Sequence, residues 1–161
     1  MNKFLPASAF TLIEVLVVVS IMGILTALTI PKFSQFSSTR LLDRNARNLE
    51  IDINSLKVKA ISGASQSSHN ARWGIKINCN SSSYELGYSL DDGSGSYGAG
   101  VFVSTKNLSD GITFSSGCGQ FFFERLTGKI ADGSDSKTII ISKGSDTRTI
   151  NVYKNGKIDV Q

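Results

Sequence analysis

Histidine and cysteine are scarce in this sequence: one His and two Cys among 161 residues. A structural zinc site wants four ligands at close spacing. Cys79, Cys118 and a distant His69 do not supply them. His69 lies in the polar stretch SGASQSSHNAR (62–72) with no evident nucleophile or acid partner, so no enzyme is expected. Blocks of lysine and arginine are missing as well. Lys and Arg number 17 against 13 Asp and Glu, a net charge of +4, which describes a mildly basic surface rather than a nucleic-acid arm.

Two apparent ligand motifs lack their context. Gly93-Ser94-Gly95-Ser96-Tyr97-Gly98 fits the dinucleotide pattern G-x-G-x-x-G, but a strand-like VFV follows it. A pyrophosphate needs a helix N-terminus at that point, so the stretch is expected to be a loop. Asp91-Asp92 and Asp132-Gly133-Ser134-Asp135 have neither the spacing nor the closing glutamate of an EF-hand. They read as turn-forming acids. No metal and no cofactor is expected.

The feature that dominates the chain is a hydrophobic run. Residues 10–30, FTLIEVLVVVSIMGILTALTI, are 21 nearly unbroken apolar positions, closed by Pro31 and interrupted by one carboxylate, Glu14. A run of that length is able to cross a bilayer as one helix. A carboxylate inside it costs a few kcal/mol and calls for a reason. Residues 1–9, MNKFLPASA, precede the run and end in small residues. A secretory signal places its small-residue cleavage site after the apolar region, so this order is reversed.

That arrangement resembles the class III signal of type IV pilins and pseudopilins: a short basic leader, then F-T-L-I-E, then VLVVVSIMGILTALTIP. The resemblance implies cleavage between Ala9 and Phe10 by a prepilin peptidase, methylation of the new Phe10 amine, and a filament-assembly role for Glu14. The family usually has Gly before the cut, where this chain has Ala9. A carboxylate in low dielectric is best satisfied by an ammonium. The resemblance supplies one, the Phe10 amine of a neighbouring subunit. It also implies an inner-membrane, single-pass precursor with its head outside the cytoplasm, and an extracytoplasmic filament after assembly. Lys3 before the run, against Lys32, Arg40, Arg44 and Arg47 after it, would alone argue for the opposite orientation. Implied partners are other pilin or pseudopilin subunits, the prepilin peptidase and the inner-membrane assembly platform.

Beyond Pro31, where a kink is expected, Leu42, Ala46, Leu49, Ile53, Leu56 and Ala60 recur at alternating intervals of four and three. This is one buried face of a helix, which Ser62-Gly63 should end. Short β-like segments follow at 73–77, 84–90, 100–105, 111–114, 120–126, 137–143, 148–154 and 157–160. Asn155-Gly156 signals a type I′ hairpin. The expected fold is α+β, a long N-terminal helix packed by a mostly meandering antiparallel head. Its segments are a leader (1–9), a transmembrane and filament-core helix (10–31), an amphipathic helix (32–62) and the β head (63–161). Cys79 and Cys118 lie in the head, where an exported protein would bridge them; two buried thiols are the alternative. The ending RTINVYKNGKIDV is similar in layout to H-type minor pseudopilins of type II secretion and to minor pilins of DNA-uptake pili, which implies two sheets packed on the helix. A DNA-binding role on a competence pilus is the alternative function. Its candidate contacts are Lys143, Arg148, Tyr153, Lys154 and Lys157, basic residues beside an aromatic.

Overall fold

A computed structural model describes residues 10–161 apart from 110, and the side chains of 28–36 are not among those described. The leader 1–9, with the Ala9 side of the expected cut, lies outside the described residues, whereas Pro31, where a kink is expected, lies within a continuous helix and only its side chain is not described. The chain divides into two compact units, Met1–Ser37 and Ser38–Gln161.

One helix, α1 (Leu12–Ile61), is followed by eight strands: β1 (Ala71–Ile77), β2 (Ser83–Leu90), β3 (Val101–Asn107), β4 (Thr113–Ser116), β5 (Gly119–Phe123), β6 (Ser136–Lys143), β7 (Asp146–Tyr153) and β8 (Ile158–Val160). The fold is α+β. In the second unit, the α1 stripe Leu42, Ala46, Leu49, Ile53, Leu56 and Ala60 is at most 2% exposed. It packs on alternate residues of both sheets, among them Trp73, Ile75, Ile77, Phe121 and Phe123, and Phe114, Ile139, Ile141, Ile150 and Val152. Fully burying one such side chain stabilises by about 1.5–3 kcal/mol, so this stripe is what fixes the head on its helix. Gly63 ends α1 in the left-handed conformation, φ 67°. Its amide donates to Ala60 and that of Ala64 to Lys59, a Schellman cap.

The strands form two four-stranded antiparallel sheets, ordered β3-β2-β1-β5 and β4-β6-β7-β8. Each contains a three-strand meander. The strands that break the meander are β4 and β5, which are neighbours in sequence but belong to different sheets. Only Gly117 and Cys118 separate them. Gly117 has φ 83°, and a Cβ there would run into the carbonyl of Thr138. Cys118 is bonded to Cys79, just past the end of β1, with Cα atoms 5.3 Å apart. The disulfide therefore ties the sheet-to-sheet crossing to the strand that β5 must pair with.

Two local expectations are corrected. The strand expected over 120–126 stops at Phe123: Leu126 takes φ 67°, and its amide donates to Ala60 at the end of α1. The β7–β8 turn is not type I′, which needs positive φ at both central residues. Gly156 has φ 77°, but Asn155 is not among the positive-φ residues. The Gly156 amide donates to Tyr153 and the Tyr153 amide to Lys157, as in a three-residue loop closed by a left-handed glycine. Packing explains the glycine, since a Cβ on it would collide with the Gly128 carbonyl.

Between β5 and β6, Asp132 pairs with Lys137 at 2.6 Å and accepts hydrogen bonds from the Ser134 amide and hydroxyl. Burial pushes its carboxyl up, but the Lys137 ammonium and the Ser134 donors outweigh that and hold it at about 2.

Two outcomes are expected. Replacing both cysteines by serine should lower stability by about 4 kcal/mol, the loop-closure value for a bridge spanning 39 residues. Urea unfolding of residues 38–161, oxidised against the double variant, measures this; an unchanged midpoint would remove the disulfide as a determinant of the fold. Because the folded Asp132 carboxyl is depressed, its contribution is complete above pH about 4 and is lost as pH falls towards 2. The stability gap between wild type and Asp132→Asn should therefore close over that window, and the gap should be small, because exposed pairs are screened. A gap independent of pH would show that the ion pair is not its source.

Candidate functional site

The first unit presents the N-terminal part of α1. Thr11 is its N-cap: the Glu14 amide donates to Thr11 Oγ1 at 3.3 Å, and the Val15 amide to the Thr11 carbonyl. Thr11 and Glu14 thus stand at the two key positions of a capping box, Thr-x-x-Glu. The sequence carries that signal, and the residue it adds to the expected set is Thr11. A carboxylate in a first helical turn also faces the positive end of the helix dipole. Glu14 therefore has a local reason to occupy its place.

Around this cap the surface is hydrocarbon on every side. Phe10, Leu12, Ile13, Val15, Leu16, Val17, Val18, Val19, Ile21, Met22, Ile24 and Leu25 are all exposed, from 46% to 84%. A helix apolar all round is one that buries itself in something else. Glu14 is exposed within that surface, and its carboxylate has no hydrogen-bond or ion-pair partner among the described residues. Among those residues, no helix is long and apolar enough to cross a membrane.

In the second unit, the five residues considered for nucleic acid do not form one surface. Lys143 pairs across the β6–β7 hairpin with Asp146, and Tyr153 pairs with Ser136 at the opposite end of the same two strands. From Arg148 to Tyr153, five residues of strand span about 17 Å. Arg148 is engaged by Asp43 of α1. The far end keeps Tyr153, Lys154 and Lys157 together: Lys157 lies 5.7 Å over the Tyr153 ring, while Lys154 pairs with Asp135 at 3.4 Å.

A polar cleft of about 310 Å³ lies between α1 and β3, lined by Asn45, Asn48, Asp52, Tyr84 and Lys106 among others. Both oxygens of Asp52 are engaged, by the Tyr84 hydroxyl and the Lys106 ammonium, each at 2.6 Å. Burial, reinforced by the neighbouring carboxylate, pushes the Tyr84 phenol well above its usual range. The phenol stays a neutral donor. This network is satisfied internally and ties β2 and β3 to the helix, with no free nucleophile or base in it.

Comparison with known proteins bears on both units. Residues 6–30 match the prokaryotic N-terminal methylation motif. No curated protein matches the sequence. The fold is similar to the crystal structure of the type IV minor pilin FimU of Pseudomonas aeruginosa, with a TM-score of 0.52 at 15% identity, over 74% of this chain and 92% of that one. The chain thus carries the N-terminal methylation motif and has a fold similar to that of a type IV minor pilin.

Proposed function

We propose that this chain is a minor subunit of a helical filament of the type IV pilus or type II secretion kind, and that it acts by packing rather than by catalysis. The observation that carries the reading is the exposed Glu14 carboxylate, without a hydrogen-bond or ion-pair partner among the described residues, on a helix surface that is otherwise hydrocarbon, within the methylation motif. In this reading a prepilin peptidase cuts between Ala9 and Phe10 and methylates the new amine. Until assembly, the apolar helix anchors the protein in the cytoplasmic membrane with its head outside.

Assembly then exchanges lipid for neighbouring helices. Apolar packing supplies attraction but little register, because the surface is nearly uniform from Phe10 to Leu25. Register has to come from something directional. A carboxylate on one helix and an amine on the next provide it: a misaligned subunit buries both charges unpaired, which costs several kcal/mol more than the matched pair. Glu14 and the Phe10 amine of a neighbouring subunit fill those two roles.

Protein extracted from the membrane and from sheared filaments should begin at Phe10 and carry one added methyl group, read by N-terminal sequencing and intact mass. A mature chain that begins at Met1, or beyond the apolar run, would overturn the reading. Glu14→Gln keeps the size and the capping geometry but removes the charge. The variant should still fractionate with membranes and should disappear from sheared filaments. Undiminished incorporation would mean that register comes from elsewhere.

A further inference from the structure

On β1, Ala71, Trp73, Ile75 and Ile77 face the core, which places Arg72 and Lys76 on the opposite, outer face of the sheet. The two cations differ. Lys76 has Glu85 at 3.4 Å. Arg72 has no hydrogen-bond or ion-pair partner among the described residues, and its Nε is shut off from solvent with nothing to donate to. Its guanidinium stacks on the Tyr97 ring, whose centroid is 3.8 Å from the guanidinium carbon.

A ring stacked on the face of a guanidinium uses none of its five N–H donors, which lie in the plane. The loop before β3 holds Tyr97 in that position. The Gly98 amide donates to Leu90, the Gly98 carbonyl accepts from the buried Ser89 hydroxyl at 2.5 Å, and Asp91 bridges to Tyr97. Beside the pair opens a cleft of about 280 Å³, lined by Arg72, Ser89, Tyr97, Gln120, Phe122 and Asp132 among others. Asp132 does not neutralise Arg72, because its carboxylate is engaged by Lys137 and Ser134.

We propose that this cleft binds a carboxylate-bearing ligand, with Arg72 as the anchor of the acid group. A guanidinium presents its donors as a planar fork that matches a carboxylate. Tyr97 orients the fork, Phe122 offers an apolar wall to the carbon body of the ligand, and the exposed Gln120 amide provides a neutral donor or acceptor at the edge. The ligand is compact, since the cleft sits at the small end of known ligand sites. The carboxylate comes from one of two sources, a free small acid or an acidic side chain of another protein. The inference does not rest on the filament reading above, because no residue of it lies before Ser38.

The test uses residues 38–161, whose core and disulfide are internal to that unit, with ¹⁵N labelling to follow the Arg72 Nε–H and the Tyr97 and Gln120 amides. The probes are sodium benzoate, sodium glucuronate and an acetylated, amidated glutamyl tripeptide, each up to about 50 mM, against sodium chloride at matched ionic strength. The three signals should shift saturably with at least one carboxylate and not with chloride. Saturation by benzoate or glucuronate alone identifies a free acid as the source, and saturation by the peptide alone identifies a protein side chain. Arg72→Lys keeps the charge without the fork and should weaken binding about tenfold or more, the equivalent of one charge-assisted hydrogen bond. Tyr97→Leu keeps the guanidinium but not its orienting ring, and should also weaken it. No saturable shift with any carboxylate, an equal response to chloride, or full affinity in both variants would overturn the proposal.

Discussion

A helix satisfies its own backbone hydrogen bonds whatever surrounds it, and this protein depends on that single property. In α1 the requirement on the side chains changes along the sequence. From Leu12 to Leu25 they are apolar on every side and exposed in the isolated chain. From Leu42 to Ala60 they are apolar along one stripe, and that stripe is buried. An isolated strand could not do the same, because its edge donors and acceptors would remain unpaired. With a helix in both places, neither region leaves backbone groups unpaired. The difference between them lies wholly in the side-chain pattern.

This explains what was legible in the sequence. A helical face repeats every three to four residues, so it is visible in a short window, and all six stripe positions predicted from spacing are in the core. The eight strands were visible for the same local reason, through alternation and β-branched residues. The partition of those strands between sheets was not, because pairing is a contact between distant residues. Nothing near Phe114 or Phe121 states that the chain changes sheets at Gly117. The structure shows the cause: the close approach of Gly117 to Thr138 and the bond between Cys118 and Cys79. Asn155-Gly156 failed differently. The dipeptide signalled a turn, but only Gly156 takes positive φ, so the turn is of another type. Arg72 with Tyr97 was hidden altogether, since the glycine-rich loop that carries Tyr97 reads as a decoy motif or plain linker.

The disulfide takes its meaning from the same contrast. In sheet terms β4 and β5 would be cheapest as a hairpin, since almost no chain separates them. Instead each joins the edge of a different sheet, beside β6 and β1 respectively. The hairpin alternative uses local contacts and would form first, as local contacts do when loop closure is costly. Fixing Cys118 beside the end of β1 restricts the chain to arrangements in which β5 is already next to its native partner. A bridge elsewhere in the head would reduce unfolded-chain entropy as well, but it would not select the crossing.

Charge plays a smaller part in the fold and a more specific one in recognition. Lys76 with Glu85, Lys106 with Asp52, Lys137 with Asp132, Arg148 with Asp43 and Lys154 with Asp135 are local pairs, mostly at the surface. Each such exposed pair contributes about 0–1 kcal/mol, less than one buried stripe residue. They fasten neighbouring elements locally and leave the net charge of +4 unchanged. Glu14 and Arg72 depart from that pattern in opposite environments. One is an acid on a hydrocarbon surface and the other a cation under an aromatic ring. Neither has a hydrogen-bond or ion-pair partner among the described residues, and in the proposed filament and ligand complexes each would gain one.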